Sequence, residues 1–166
     1  MTTSTRAKVP PTATRYEDDV YTWLQEQIAL LRAGKIADID ADNIAEELSD
    51  VGNEIRDKLE SAIAVVAQHL LKWDYQTARR SRSWVLSIRE HRRRVSLLLE
   101  RNPGLKGKLR KSLTVGYANG RDRALDETKF ADDALPENCP YTLDEMMTRP
   151  IEYVAPPAGK RKRKVP

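Results

Sequence analysis

The sequence predicts an all-α protein: an antiparallel four-helix bundle with a short extra C-terminal helix and disordered tails. Apolar residues recur at steps of three and four across four long segments, and no segment alternates apolar and polar residues as a strand does. The connections between these segments are short, and amphipathic helices joined by short connections pack antiparallel to their neighbours. A chain of 166 residues is long enough to build one such core.

The first two helices differ in length. Thr14 and Glu17 form a T-x-x-E pattern that predicts a capped start for the first helix, and Gly34 predicts its end. Asp40 or Asp42 can cap the second helix. Its apolar stripe extends over about 30 residues, or about 45 Å at the rise of an α-helix, whereas the first helix covers only about 27 Å. The second helix is therefore too long for this neighbour to cover. The stripe consists of Ile44, Leu48, Val51, Ile55, Leu59, Ile63, Val66, Leu70 and Trp73. Gly52 is a candidate point for a break or a bend.

The third and fourth helices are joined at an Asn-Pro pair. The third covers about residues 79–101. Asn102 and Pro103 predict the start of the fourth, since proline is favoured at the first helical position. Gly116 and Gly120 lie on the inner face of the fourth helix, where they would let a neighbouring helix come close. A loop over 129–141 precedes a T-x-x-E pattern that starts the last, short helix.

These elements divide the chain into a disordered tail at 1–13, a helical bundle domain at 14–148 and a basic disordered tail at 149–166. The net charge of +4 is concentrated in the tails, because five consecutive basic residues occupy 160–164. Cys139 is the only cysteine, so no internal disulfide can form, and a reducing cytoplasm is the expected location. No apolar run is long enough for a membrane span, and the N-terminus lacks the apolar segment of a secretory signal.

Charge is sorted into opposed segments. Residues 17–60 carry 13 Asp/Glu against four Lys/Arg, residues 79–111 carry 12 Lys/Arg against two Asp/Glu, and residues 122–145 carry eight Asp/Glu against two Lys/Arg. Nearby carboxylates would reduce the capacity of the arginines to bind phosphate. We therefore expect the basic segment to face acid from the same chain or from a symmetric copy at several points.

Several motifs occur in an order that resembles a known family. They are Y-E-D-D-V-Y-T-W at 16–23, L-L-R-A-G at 30–34, I-A-E-E-L at 44–48, H-L-L-K-W at 69–73, S-R-S-W at 81–84, I-R-E-H-R at 88–92 and P-E-N-C-P-Y at 136–141. Together they are similar to the bacterial family catalogued as domain of unknown function twenty-nine, over about residues 16–147. The resemblance implies an all-helical bacterial protein and supplies no catalytic residues. The basic tail is not part of the family pattern.

Two histidines lie on apolar helix faces, where antiparallel packing could bring them together. His69 and His91 are expected to be core histidines hydrogen-bonded to a hydroxyl or a carbonyl. The alternative is a small metal or acid–base site, with Glu47 and Glu54 as candidate carboxylates. The Glu-x-x-His pattern of bundled di-metal sites is absent, so neither a metal nor a cofactor is predicted.

Three arginines, Arg82, Arg89 and Arg93, form a basic stripe on the third helix that is a candidate anion-binding site. No aromatic residue interleaves with the stripe, which disfavours binding of single strands. The leading hypothesis is a non-catalytic cytoplasmic module that binds another macromolecule, most simply a protein. The alternatives are nucleic-acid binding through the stripe and the tail, and the histidine site. Homo-oligomerisation stays open, and no membrane partner is predicted.

Overall fold

The computed structural model describes residues 14–154, and these are all-α, as the sequence predicts. No β-strand occurs among them. The α-helices are α1 (Val20–Arg32), α2 (Ala41–Tyr75), α3 (Arg82–Arg101), α4 (Leu109–Thr128) and α5 (Leu143–Thr148), and short 3-10 helices occupy Ile36–Asp38, Thr77–Arg79, Pro103–Lys108 and Asp132–Ala134. The predicted disordered tail at 1–13 lies outside the described residues, as does 155–166 within the predicted tail at 149–166. The antiparallel four-helix bundle stays a prediction.

The chain forms two compact units that divide within α2. The first ends at Glu54 and the second begins at Ile55. The α2 helix is continuous through Gly52, so this glycine does not break it. The single bundle domain predicted over 14–148 therefore has a division that the continuous apolar stripe of α2 does not reveal.

The first unit has a small interior. Among its described residues only Trp23 and Gln27 are buried, with the Trp23 ring packed edge-on against Tyr16. The predicted cap at Thr14 is wrong: Thr14 donates hydrogen bonds to Glu26 instead, at 2.8 and 2.9 Å. The N-cap of α1 is Asp19, whose carboxylate accepts from the backbone of Thr22.

The start of α2 is fixed by one of the two predicted caps. Asp40 precedes the helix, and its side chain accepts from the backbone N–H and the amide of Asn43. The backbone N–H of Asp40 donates to the side chain of Gln27 on α1 at 2.8 Å. This bond explains why a glutamine is buried in the first unit.

In the second unit, α2 packs against both α3 and α4. A Cβ on Gly116 would lie 2.6 Å from the side chain of Ile63, and one on Gly120 would lie 2.5 Å from the backbone oxygen of Ala64. The predicted close approach at these glycines is confirmed, and it joins α4 to α2 in parallel, since contact positions rise together along both helices. The α3 helix runs antiparallel to α2, with Trp84 beside His69.

The C-terminal end of the described chain is tied to the end of α2. Arg149 makes a bidentate ion pair with Asp74 at 2.6 and 2.8 Å, and the Tyr141 hydroxyl donates to the same carboxylate. Ile151 is buried in the core. Arg149 and Ile151, which lie in the predicted tail at 149–166, therefore contact the second unit. The sequence missed this because the anchoring partner, Asp74, lies 75 residues away.

Candidate interaction surfaces and the buried polar cluster

The two histidines have different surroundings. The Nδ1 atom of His91 lies 3.0 Å from the backbone oxygen of Ser87, so Nδ1 carries the hydrogen and donates it. The hydrogen bond to a carbonyl is the expected one, but His91 is only half-buried and is not part of the buried core. The Nδ1 atom of His69 is buried and has no hydrogen-bond partner within the described chain, so for that nitrogen the expectation is wrong. Burial, reinforced by the charge of Lys72, lowers the pKa of His69 to about 4.

Lys72 is a buried charge that the sequence did not predict. Its side chain is 2% exposed, and its Nζ atom lies 2.6 Å from a carboxylate oxygen of Glu127 on α4. The same Nζ lies 4.4 Å from the centroid of the Trp84 ring, on α3. The amide of Gln68 donates to the other oxygen of Glu127 at 2.7 Å. One lysine therefore links three helices through an ion pair and a cation–π contact.

The sequence around Lys72 contains one indication that this lysine is buried. Lys72 stands in a run of apolar residues, between Leu71 and Trp73, and it follows His69 by three positions on the same helix face. A lysine there either extends its ammonium to solvent or needs a buried partner. The sequence does not show which, because Glu127 lies 55 residues away.

The carboxylates proposed for the histidine site, Glu47 and Glu54, both belong to the first unit. Glu47 accepts a hydrogen bond from the Tyr16 hydroxyl at 2.7 Å, and this contact raises the pKa of Tyr16 to about 12. Among residues 14–154, no group of three or more His, Cys, Asp or Glu side chains could hold a metal ion. The buried cluster around His69 is instead arranged to hold a charged lysine beside a neutral imidazole.

The arginine stripe of α3 is partly paired, and its partner is local. Arg93 forms an ion pair with Glu90 at 3.0 Å, and Arg94 shares the same carboxylate at 2.9 Å. These contacts lower the pKa of Glu90 to about 2. Arg82 and Arg89 are exposed, and within residues 55–154 no carboxylate lies within 4 Å of either. The ion pairs expected between the stripe and the acidic segments are not found in this part of the chain.

The first unit exposes large apolar side chains. Leu48 is 67% exposed and Val51 is 53% exposed, one turn apart on α2. Both belong to the apolar stripe of the long second helix, whose length exceeds that of the first helix. Other apolar side chains of the same unit are also exposed: Val20, Tyr21, Leu31 and Ile36. The unit therefore presents an apolar helical stripe that its own described residues leave exposed.

Gly52 follows Val51 on this part of α2 and has no packing role within the described chain. A Cβ placed on it would meet no atom within 4 Å. By contrast, Gly116 and Gly120 each hold a neighbouring helix close. A glycine inside a helix costs about 1 kcal/mol relative to alanine. At Gly52 no contact within the described residues offsets that cost.

A cationic groove opens between α2 and α3 of the second unit. Its volume is about 430 Å³, and it is lined by Lys58, Ser61, Ala62, His91, Arg94, Leu97, Leu98 and Arg101. No Asp or Glu is among these lining residues, although the second unit contains many carboxylates.

Residues 15–150 decide the family of this chain. They match the model of the family described as "Domain of unknown function DUF29". The chain belongs to the DUF29 family. No curated protein and no solved structure matches this DUF29 chain. Among the described residues of the DUF29 chain, no helix is both long enough and apolar enough to cross a membrane.

The match shows which residues form the DUF29 domain, and it assigns no activity to that domain. The matched region contains the exposed Leu48 and Val51, the buried Lys72 with its partner Glu127, and the groove lined by His91. All three features therefore lie in the family domain rather than in a segment added to it. The basic residues at 160–164 lie outside the matched region.

Proposed function

We propose that this DUF29 domain is a non-catalytic, cytoplasmic protein-binding module. It docks a helical segment of its partner onto the docking stripe, defined as Leu48, Val51 and Gly52 of α2. The observation that carries the proposal is the exposure of Leu48 and Val51 in a stripe with the periodicity of a core. Burying a leucine or valine side chain completely is worth about 1.5–3 kcal/mol. A partner that covers the stripe would recover much of that free energy.

Gly52 supports a helix as the form of the partner. The absence of a side chain lets a second backbone come close, as Gly116 and Gly120 do inside this protein. A close helix–helix crossing buries the flanking Leu48 and Val51 at the same time. The cost of a glycine inside α2 is then offset in the complex rather than in the isolated domain.

The charge of the first unit selects the chemistry of the partner. Described residues 14–54 carry 11 Asp/Glu against three Lys/Arg, a net charge of −8. Asp50 and Glu46 are exposed carboxylates on the same part of α2. An amphipathic helix with lysine or arginine beside its apolar face is therefore the partner that the stripe fits best. A second copy would bring the same negative charge and would be repelled if both docking stripes met.

The test compares apolar-to-serine substitutions inside and outside the docking stripe. Tagged wild-type protein is used to capture partners from its natural source, in parallel with the double variant Leu48→Ser/Val51→Ser and the control Leu86→Ser. Leu86 is also half exposed, at 51%, but lies on α3. We expect the double variant to lose at least about tenfold in affinity for the captured partner, or about 1.4 kcal/mol, while the control retains it. Raising the salt concentration should weaken the wild-type complex.

Two results would contradict the proposal. One is a partner that binds both variants as tightly as the wild type. The other is light scattering that shows a wild-type dimer which the double variant dissociates, because a second copy would then cover the stripe. Thermal unfolding of both variants in advance shows that each is folded before affinities are compared.

A second candidate function is binding of nucleic acid through α3. It is favoured by Arg82 and Arg89, which are exposed and have no carboxylate within 4 Å in residues 55–154. The test is binding to generic DNA or RNA at about 50 mM salt, where phosphate contacts are strong. The double variant Arg82→Gln/Arg89→Gln should then bind more weakly and with a shallower salt dependence. No binding at that salt concentration would exclude this function.

A further inference from the structure

We propose that the cationic groove between α2 and α3 binds an amphiphilic anion: a carboxylate or phosphate group attached to an apolar chain. The groove lies in the second unit, apart from the docking stripe in sequence and in residues used. The proposal rests on three features of its wall, which are an apolar floor, a cationic rim with no carboxylate among the lining residues, and an imidazole.

The apolar floor is formed by α2 and α3 together. Ala62 is buried at the base, and Leu98 packs against the core of the second unit. Leu97 lines the groove and is half buried, but it is not among the side chains that pack against that core. Its apolar surface is therefore directed to the groove, where it can contact a ligand. A volume of about 430 Å³ falls in the range of sites for small organic molecules, which is about 300–1,000 Å³.

The cationic rim is contributed mainly by α3. Arg94 and Arg101 are exposed side chains two turns apart that both line the groove. Glu90 accepts from Nε of Arg94, and neither terminal nitrogen of this guanidinium has a hydrogen-bond partner among the described residues. Glu90 thus orients Arg94 and leaves its outer nitrogens available to an anion. Arginine binds carboxylate and phosphate groups through such paired nitrogens.

His91 adds an imidazole to the wall of the groove. Its Nδ1 atom donates to the backbone of Ser87, which fixes the ring and leaves Nε2 as the second polar atom. The charged groups that line the groove with it are Lys58, Arg94 and Arg101, all cationic. An anionic head group bound among them meets no lining carboxylate, whereas a neutral or cationic head group gains nothing from the rim.

The test uses four probes against the full chain. Decanoate and decyl phosphate carry the two anionic head groups, decanol carries the same chain without charge, and inorganic phosphate carries the charge without a chain. Binding is measured by isothermal titration below the concentrations at which the probes form micelles. We expect at least one of the two anionic amphiphiles to bind about tenfold more tightly than decanol and than inorganic phosphate. The tighter of the two identifies carboxylate or phosphate as the head group.

Two variants place the binding in the groove. Arg101→Gln removes a rim cation and should weaken the anionic amphiphile about fivefold or more, and Leu97→Ser should weaken it through the floor. The control Arg123→Gln changes an exposed arginine of α4 outside the groove and should leave affinity unchanged. Failure of both anions to bind, equal binding of decanol, or wild-type affinity in Arg101→Gln would each overturn the proposal.

Discussion

At the scale of single residues, Lys72 and His69 lie on the same face of α2, but Lys72 is charged and His69 is neutral. Lys72 has an ion-pair partner in Glu127 at 2.6 Å, together with the Trp84 ring, so its ammonium can be buried in the charged form. His69 has no such partner: its Nδ1 is buried without a hydrogen bond in the described chain, and the nearby lysine repels a proton. Burial, reinforced by the positive charge of Lys72, thus lowers the pKa of His69 and keeps its imidazole neutral.

The neutral His69 should make stability depend on pH. The folded-state pKa of His69 is about 4, below the ordinary value of 6.5. The unfolded chain therefore binds the proton first, and stability is lost as pH falls from about 6.5 toward about 4. We expect His69→Leu to make the free energy of unfolding less dependent on pH between about 6.5 and 5, measured by urea denaturation. The interval lies above the range in which Glu127 and Asp74 are protonated, because both have lowered pKa values. An equal slope in wild type and variant would contradict the neutral His69.

Substitution of Lys72 and substitution of Glu127 should lower the free energy of unfolding by different amounts. Glu127→Ala leaves the Lys72 ammonium buried without its carboxylate, and we expect it to lower the free energy of unfolding by about 1–3 kcal/mol. Lys72→Met replaces the buried ammonium with an apolar side chain of similar length and leaves a half-exposed Glu127, so its cost should be smaller. Urea denaturation of both variants gives the order. A larger cost for Lys72→Met would mean that the pair stabilises the fold more than burial of the lysine costs.

For single residues, the sequence predicts which helix face a side chain lies on better than it predicts which distant residue that side chain contacts. The apolar faces of His69 and His91 follow from helical periodicity, and the carbonyl bond of His91 is the expected outcome. The partners of Lys72 and Arg149 lie 55 and 75 residues away in the chain, so no local pattern indicates them. The Thr14–Glu17 pattern misleads because Asp19, a strong cap, stands five residues later and competes for the helix start.

At the scale of helices, Gly52 of α2 and Gly116 of α4 can be compared through the same substitution, glycine to alanine. Gly116→Ala should lower the free energy of unfolding by about 1–3 kcal/mol, because its Cβ would overlap Ile63 and the backbone of Glu60. Gly52→Ala meets open space and should raise the free energy of unfolding by up to about 1 kcal/mol through helix propensity. Both changes are read from the same thermal or urea unfolding experiment.

The same substitution at Gly52 also bears on the proposed partner. We expect Gly52→Ala to stabilise the free domain and yet weaken the complex, since the added methyl group keeps the partner helix away. A destabilising Gly52→Ala would show that the glycine has an internal role. A stabilised variant that binds the partner as well as the wild type would remove Gly52 from the docking stripe while leaving Leu48 and Val51 in it.

The type of the helices follows from the sequence, but the starts of α1 and α4 and the extent to which each face is covered do not. The stripe of α2 has one unbroken period from Ile44 to Trp73, yet it is buried from Leu59 onward and exposed at Leu48 and Val51. Periodicity shows that a helix face is apolar. It does not show whether residues of the same chain or of a partner cover that face. The difference arises because the first unit has few residues with which to build an interior.

At the scale of the whole molecule, charge is divided between the two units. Described residues of the first unit have a net charge of −8, whereas residues 55–154 carry 19 Lys/Arg against 14 Asp/Glu, a net of +5. Within each unit the ion pairs are mostly local, as in the sharing of Glu90 by Arg93 and Arg94. The two units therefore differ in the surfaces they offer: the first is acidic and carries an apolar stripe, and the second is basic and carries a cationic groove.

We propose that a partner protein covers the docking stripe of the first unit, and photo-crosslinking tests this proposal most directly. A photoreactive amino acid is placed at position 48 and, as the matched control, at position 86, each replacing a leucine that is more than half exposed. Irradiation in cells of the natural source should give a discrete adduct from position 48 and none from position 86, and the adduct should disappear in a Val51→Glu background. Equal labelling from both positions, or an adduct from position 48 that consists of a second copy of this chain, would contradict the claim.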